Sequence, residues 1–343
     1  MTDFARIPVV DVAGLAGHRA ARERVALELG DGARTVGFLY VTGHGVDERL
    51  FENVLAAAKR FFALPDEEKM RVYIGNSTNH RGYVPIGEEV FASGSRDMKE
   101  AFDLSRDLPA DDPDYLAGNP LLGPNQWPDL PGFGEAVSAY YDAVFALGRR
   151  LLRGFAMALG ESPRFFDSMV TKPPSQLRLI HYPANARAQD VPGIGAHTDY
   201  ECFTLLRATS PGLEVMNGRG EWIDAPPLPG AFLVNIGDML ELLTNGAFVA
   251  TSHRVRNVTE ERYSFPLFFS FDYATQVRPL PKFVADGETP RPGLVAGEHL
   301  FAQTVQSFTY QKARLARGEI TLPEETVELS SFGQEYRQQK LRA

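Results

Sequence analysis

Apolar residues recur three and four apart along the first half of the chain and alternate along much of the second, the periods of amphipathic helix and half-buried strand. Residues 7–12 read as a short strand and 18–35 as a helix. Phe38-Leu39-Tyr40-Val41 reads as a strand ended by Gly43-His44-Gly45. Asp47 is placed to cap a helix running to about residue 62, with Leu50, Phe51, Val54, Leu55 and Ala58 on one stripe. A short helix over 66–70 follows Pro65. Beyond a Pro/Gly/Asp-rich crossing over 108–132, a long helix reaches about residue 159 on the stripe Val137, Tyr141, Val144, Leu151 and Phe155.

From Gln176 the period becomes two. Strands are expected over 176–182, 195–197, 202–207, 212–215, 221–223, 231–236, 253–256 and 263–271, with Asn217-Gly218-Arg219-Gly220 as a hairpin turn. Short strands packed so densely predict a mostly β chain with flanking helices and a jelly-roll or barrel core. A helix over about 297–316 follows.

The chain has 343 residues, 44% of them hydrophobic, ample for a sizeable core. A net charge of −9 with both signs interspersed gives no footprint for nucleic acid. The single cysteine, Cys202, excludes an intrachain disulfide and a thiolate zinc site, and reads as a small buried hydrophobe. No segment is apolar enough for a membrane span and the N-terminus lacks a leader pattern, so a soluble, cytoplasmic protein is expected. Oligomeric state is not encoded in these patterns.

The candidate chemistry lies in His197-Thr198-Asp199, with His253 far downstream and Arg262 and Ser264 beyond it. Two imidazoles and a carboxylate can form the facial triad of a non-heme Fe(II) site, leaving positions open for substrate and oxygen. An i, i+2 pair on a strand projects from one face. Arg262 and Ser264 therefore offer a guanidinium fork and a hydroxyl to a small carboxylate. By itself His-x-Asp also fits a surface strand pair or a hydrogen-bonded turn. The metal reading gains from the preceding Gly193-Ile194-Gly195, and from His253 opening a strand in the same block. It gains further if a tight turn over 257–261 sets Arg262 on the neighbouring strand.

These residues sit in a longer pattern. Ile7-Pro8-Val9-Val10-Asp11, the stretch Gly37 to Val46, Phe61-Phe62-Ala63-Leu64-Pro65, Arg81-Gly82-Tyr83 and Lys99-Glu100-Ala101-Phe102-Asp103 come first. Leu179-Ile180-His181-Tyr182-Pro183, Gly195-Ala196-His197-Thr198-Asp199, Asn235-Ile236-Gly237-Asp238, Ser252-His253-Arg254-Val255 and Arg262-Tyr263-Ser264 follow in order. Over about residues 5–315 the chain resembles the isopenicillin N synthase-like Fe(II)/2-oxoglutarate-dependent dioxygenases.

The resemblance implies one functional unit over 1–343. Within it lie an N-terminal dioxygenase region (1–120), a double-stranded β-helix, cupin-like core (170–290) and a C-terminal helix and tail (291–343). It implies Fe(II) on His197, Asp199 and His253, and 2-oxoglutarate held by Arg262, Ser264 and Tyr182. With O2, oxidative decarboxylation would then release succinate and CO2 and oxidise a small-molecule substrate, most simply by hydroxylation. One departure is Ile180, where many relatives carry Asn. Relatives that use the Arg-x-Ser pair for the substrate itself make a 2-oxoglutarate-independent oxidase or cyclase the alternative. An ethylene-forming activity and a non-catalytic small-molecule sensor are the others. Tyr83, Phe102 and Phe268 are candidates to line the substrate pocket, each equally suited to a plain core role. The stretch 81–90 is similar to microbial ethylene-forming members, which would let Glu89 meet a cationic substrate group, against a solvated loop acid. His181, alternating with Tyr182, is expected outside the iron cavity, and His44 is expected to be a turn residue.

Overall fold

The computed structural model describes residues 2–90, 98–184, 194–256 and 260–324. Its N-terminal part runs β1 (Val9–Asp11), α1 (Arg19–Thr35), β2 (Phe38–Thr42), α2 (Glu48–Phe62), α3 (Asp66–Met70), β3 (Gly82–Val84), β4 (Glu100–Ser105), α4 (Pro113–Leu116) and α5 (Phe133–Ala158). Then come β5 (Gln176–Tyr182), β6 (Ile194–His197), β7 (Phe203–Ala208), β8 (Leu213–Met216), β9 (Trp222–Asp224), β10 (Phe232–Ile236) and α6 (Asp238–Leu243). The chain continues through β11 (His253–Val255), β12 (Arg262–Phe269), β13 (Gln276–Val277), β14 (Leu294–Val295), α7 (Ala296–Ser307) and α8 (Thr309–Ala316).

Local signals set many of these bounds. Asp47 accepts a hydrogen bond from the Arg49 amide at the start of α2 (3.0 Å), as a cap should. In the turn from β8 to β9 the Asn217 side chain accepts from the amides of Arg219 and Glu221 at 2.9 and 3.0 Å. The expected C-terminal helix is interrupted. Phe308 is extended (φ −93°, ψ 132°) and separates α7 from α8. Glu88 sits at that break, accepting from the Tyr310 amide (2.8 Å) and the Thr309 hydroxyl.

Two sheets form the core. The larger runs β1-β2-β10-β7-β12-β5-β4-β3, and the smaller β6-β11-β8-β9. Alternation divides the larger sheet's side chains. Leu39, Val41, Leu177, Leu179, Phe265 and Leu267 join the cluster that includes α1, α2 and α5, whereas Phe38, Tyr40, Ile180 and Tyr182 pack with Val215 and Val255 of the smaller sheet. This is the double-stranded β-helix, mostly sheet, with helices on one outer face. α5 lies close against β12. A Cβ added at Gly148 would come within 2.4 Å of the Phe269 ring, so only glycine permits that approach.

β3 and β4, which the periodicity does not reveal, extend the larger sheet at one edge, and β1 and β2 extend it at the other. The strand-forming half thus begins earlier than the pattern shows. β4 reads poorly because every one of its residues is buried, including Glu100 and Asp103.

Candidate metal centre and substrate cavity

His197 ends β6 and His253 begins β11, and the two are directly paired across the smaller sheet. Their rings lie 4.3 Å apart between centroids. Asp199 is two residues past the end of β6, in irregular backbone rather than on the strand that the His-x-Asp spacing suggests. The backbone around it is held by the start of α6. The Asp238 amide donates to the Asp199 carbonyl at 2.8 Å, and the Met239 amide to the Glu201 carbonyl at 3.1 Å. A Cβ at Gly237 would meet the Glu201 carbonyl oxygen at 2.2 Å, so this approach also needs glycine.

The ligand atoms converge. Asp199 Oδ1 is 3.6 Å from His197 Nε2 and 3.5 Å from His253 Nε2, and one ligand atom from each of the three residues lies within 4.8 Å of the others. His197 Nδ1 faces the Gly195 carbonyl at 2.8 Å and His253 Nδ1 the Thr251 carbonyl at 3.2 Å. Nδ1–H donation to a carbonyl leaves the Nε2 lone pair for a metal. The other carboxylate oxygen, Asp199 Oδ2, accepts from Asn235 Nδ2 at 2.6 Å and from the Thr204 hydroxyl. Oδ1 is thereby aimed at the histidines. The sequence block Asn235 to Asp238 marked this neighbourhood, but neither Asn235 nor Thr204 stood out as a supporting residue.

Charges tighten the cluster. Burial works to raise the Asp199 pKa, yet His253 and His197, with the hydrogen bonds, carry it well below the usual carboxylate range. Burial, then His253, pushes His197 down to about 4. For His253 burial is outweighed by Asp199, and its value is raised. Such a donor set suits a divalent cation that replaces the shared proton.

Arg262 does not lie beside His253 in one sheet. β12 belongs to the larger sheet and β11 to the smaller, so Arg262 and His253 stand on different sheets. The turn expected over 257–261 has residues 257–259 outside the described residues. Arg262 pairs across the strands with Tyr182, and Ser264 with Ile180. The Arg262 guanidinium carbon sits 4.9 Å over the Tyr182 ring, and its Nε donates to the Ser210 carbonyl at 3.1 Å. The side chain is 1% exposed, and Nη1 has no hydrogen-bond partner among the described residues. Arg262 also lines a cavity of about 190 Å³ with Tyr40, Leu206 and Leu233. A buried guanidinium nitrogen without a partner is costly, and a carboxylate is the partner that fits.

A second cavity, of about 120 Å³, touches the triad itself at His197 and Asp199 and is walled by Phe268, Arg178, Glu201 and Thr198 among others. Phe268 is thus where the period-two argument puts it. Glu89 reaches this wall too, but one oxygen accepts from Arg178 Nη1 at 2.7 Å and the other from Lys99. Arg178 closes a bidentate fork on Asp103, both bonds 2.7 Å. Burial, then Asp199, pushes the Glu201 carboxyl up to about 8.

Tyr83 and Phe102 correct the expectation for pocket residues. Each packs on Phe61, at centroid distances of 5.9 and 5.1 Å, in the cluster on the helix-covered face. The strand alternation that turns Val84 and Ala101 inward turns these two away from the triad. Burying Phe102 fully is worth about 2 kcal/mol. His181 faces the same outer side, with Nδ1 2.8 Å from Glu100 Oε1 and Nε2 3.0 Å from Glu261. His44 holds its turn through the Val46 amide (3.0 Å) and the Gly230 carbonyl (3.0 Å).

Known proteins share this arrangement. Residues 7–130 match the family model described as the N-terminal region of non-haem dioxygenases in morphine synthesis, and 173–271 match the 2OG-Fe(II) oxygenase superfamily. A homoarginine-6-hydroxylase of Glycine max is 37% identical over 90% of this chain and 98% of its own length. Clavatol oxidase of Penicillium crustosum is 32% identical over 88% and 96%. Among solved structures, a 2OG-Fe(II) oxygenase family protein of Caulobacter crescentus aligns with a TM-score of 0.77 at 31% identity, covering 92% of this chain and 99% of that one. A full-length Neurospora crassa protein in complex with alpha-KG and thymine aligns at 0.75 and 28%, covering 91% and 97%. Among the described residues no helix is long and apolar enough to cross a membrane. The chain is an enzyme that uses Fe(II), 2-oxoglutarate and O2, and it belongs to the isopenicillin N synthase-like family of 2-oxoglutarate- and Fe(II)-dependent oxygenases.

Proposed function

We propose that His197, Asp199 and His253 hold the Fe(II), that Arg262, Ser264 and Tyr182 hold the distal carboxylate of 2-oxoglutarate, and that the chain hydroxylates a small molecule seated against Phe268. The observation that carries the reading is the buried Arg262 Nη1, without a hydrogen-bond partner among the described residues, in a chain that also holds an intact His-Asp-His cluster. Iron with 2-oxoglutarate and O2 supplies the C–H oxidation, releasing succinate and CO2. The protein's share is orientation. Asn235 and Thr204 fix the Asp199 carboxylate, the two backbone carbonyls fix the imidazole tautomers, and Tyr182 braces the guanidinium under its ring.

The names of the relatives range from homoarginine to clavatol. The charged wall of the substrate cavity favours the amino-acid end of that range, which makes homoarginine the first substrate to try. The test is succinate release from 2-oxoglutarate by the aerobic Fe(II) protein. Succinate formation that depends on iron and falls on Arg262→Ala is expected. No succinate with any substrate pool would overturn the reading and favour an oxidase that dispenses with 2-oxoglutarate.

A further inference from the structure

Three carboxylates other than the ligand Asp199 stand at or beside the substrate cavity, and two are committed. Glu89 is held by Lys99 and Arg178, and Asp103 by both arms of the Arg178 fork. Those four charges cancel. Glu201 is different. It lines the cavity and has no ion pair with any cation among the described residues. Its backbone is fixed by the start of α6 through the Met239 amide and the close approach of Gly237, so its placement is set before any ligand arrives. Further polar atoms on the same wall are unsatisfied. His80 Nε2 and Thr198 Oγ1 belong to residues 1% and 0% exposed, and Gln176 Nε2 is likewise buried, each with no hydrogen-bond partner among the described residues. Buried polar atoms without partners mark places where a ligand completes the hydrogen bonding.

We propose that Glu201 is the cation-recognition group of the substrate cavity, and that the substrate carries an ammonium or guanidinium nitrogen which pairs with it. The role that sequence similarity offers to Glu89 falls to Glu201, because the Glu89 oxygens are already occupied. The remaining wall atoms, Gln176 Nε2 foremost, would serve the substrate's neutral polar groups.

This rests on the cosubstrate reading above, and the experiment separates the two. The Mn(II)-loaded protein, wild type and Glu201→Gln, is titrated calorimetrically with homoarginine and with homocitrulline, its uncharged ureido counterpart, each with and without 2-oxoglutarate. Wild type is expected to prefer homoarginine by about tenfold or more, and Glu201→Gln to lose that preference. Glu201→Asp, which keeps the charge, should recover part of it. Equal homoarginine affinity in wild type and Glu201→Gln overturns the proposal. So does a wild type that binds 2-oxoglutarate yet responds to none of homoarginine, arginine, lysine and agmatine. Failure to bind 2-oxoglutarate strikes the cosubstrate reading instead, while the arms run without it still report on Glu201.

Discussion

Asp199 carries two tasks on two oxygens. Oδ1 looks to the histidines, and Oδ2 is occupied by Asn235 and Thr204. Removing Asn235 should therefore weaken metal binding without touching a ligand. Asn235→Ala is expected to lower Fe(II) or Mn(II) affinity by about 10- to 100-fold, read by competition with a chelator. Arg262 is tested differently. Arg262→Lys keeps the charge but loses the planar fork, and the 2-oxoglutarate KM should rise about tenfold or more while metal affinity is unchanged. The residues proposed as metal ligands and clamp stood out in residue types and spacing. The supports did not, since Thr204 and Asn235 reach Asp199 only through the pairing of β7 with β10, and Glu201 carries no motif at all.

At the scale of elements, ion pairs join the strands where hydrophobic alternation fails. Asp103 on β4 and Arg178 on β5 are direct cross-strand partners, both deep in the protein. Cutting Asp103 to Ala leaves Arg178 buried with half its partners. A loss of about 3 kcal/mol or more is expected in denaturant unfolding. Glu89 in the same network gives a pH signature. Burial opposes its charge, but Arg178 and Lys99 bring its folded-state value below the ordinary 4.5. A lowered carboxyl contributes stability that is present above the unfolded value and lost as the pH falls. Thermal stability should therefore fall progressively below pH 4.5, and Glu89→Gln should flatten that slope. Buried ion pairs of this kind explain why β4 was illegible. Glu100 and Asp103 look like surface residues in the sequence, and only their partners, Lys69 and Arg178, make them interior ones. The break at Phe308 was hidden for a similar reason, because the residue that caps α8, Glu88, lies more than two hundred positions earlier.

The whole molecule is organised by pairings between distant parts of the chain. β2 pairs with β10, and β4 with β5, so the first 105 residues supply both edges of the larger sheet. Expressed alone, residues 170–290 should fail to give a cooperative unfolding transition, and co-expression with residues 1–160 should restore soluble protein if the edges re-pair. The later strands of this sheet were readable to within a residue or two because each turns one face to the helices and one to the bore. Which sheet each strand joins was not readable, and Arg262 shows the cost, since its strand lies in a different sheet from His253.

The pairing of β2 with β10 also has a meaning in time. Val41 leaves the ribosome long before its partner Phe232 exists. At typical synthesis rates the interval is roughly 10–40 s. Throughout it, β2 presents an apolar, unpaired edge to the cell. Helices α1, α2 and α5 are made in the meantime and can shelter one face of that strand, but not its hydrogen-bonding edge. Yield in a cell should thus depend on holding chaperones and on growth temperature more than the stability of the finished enzyme suggests.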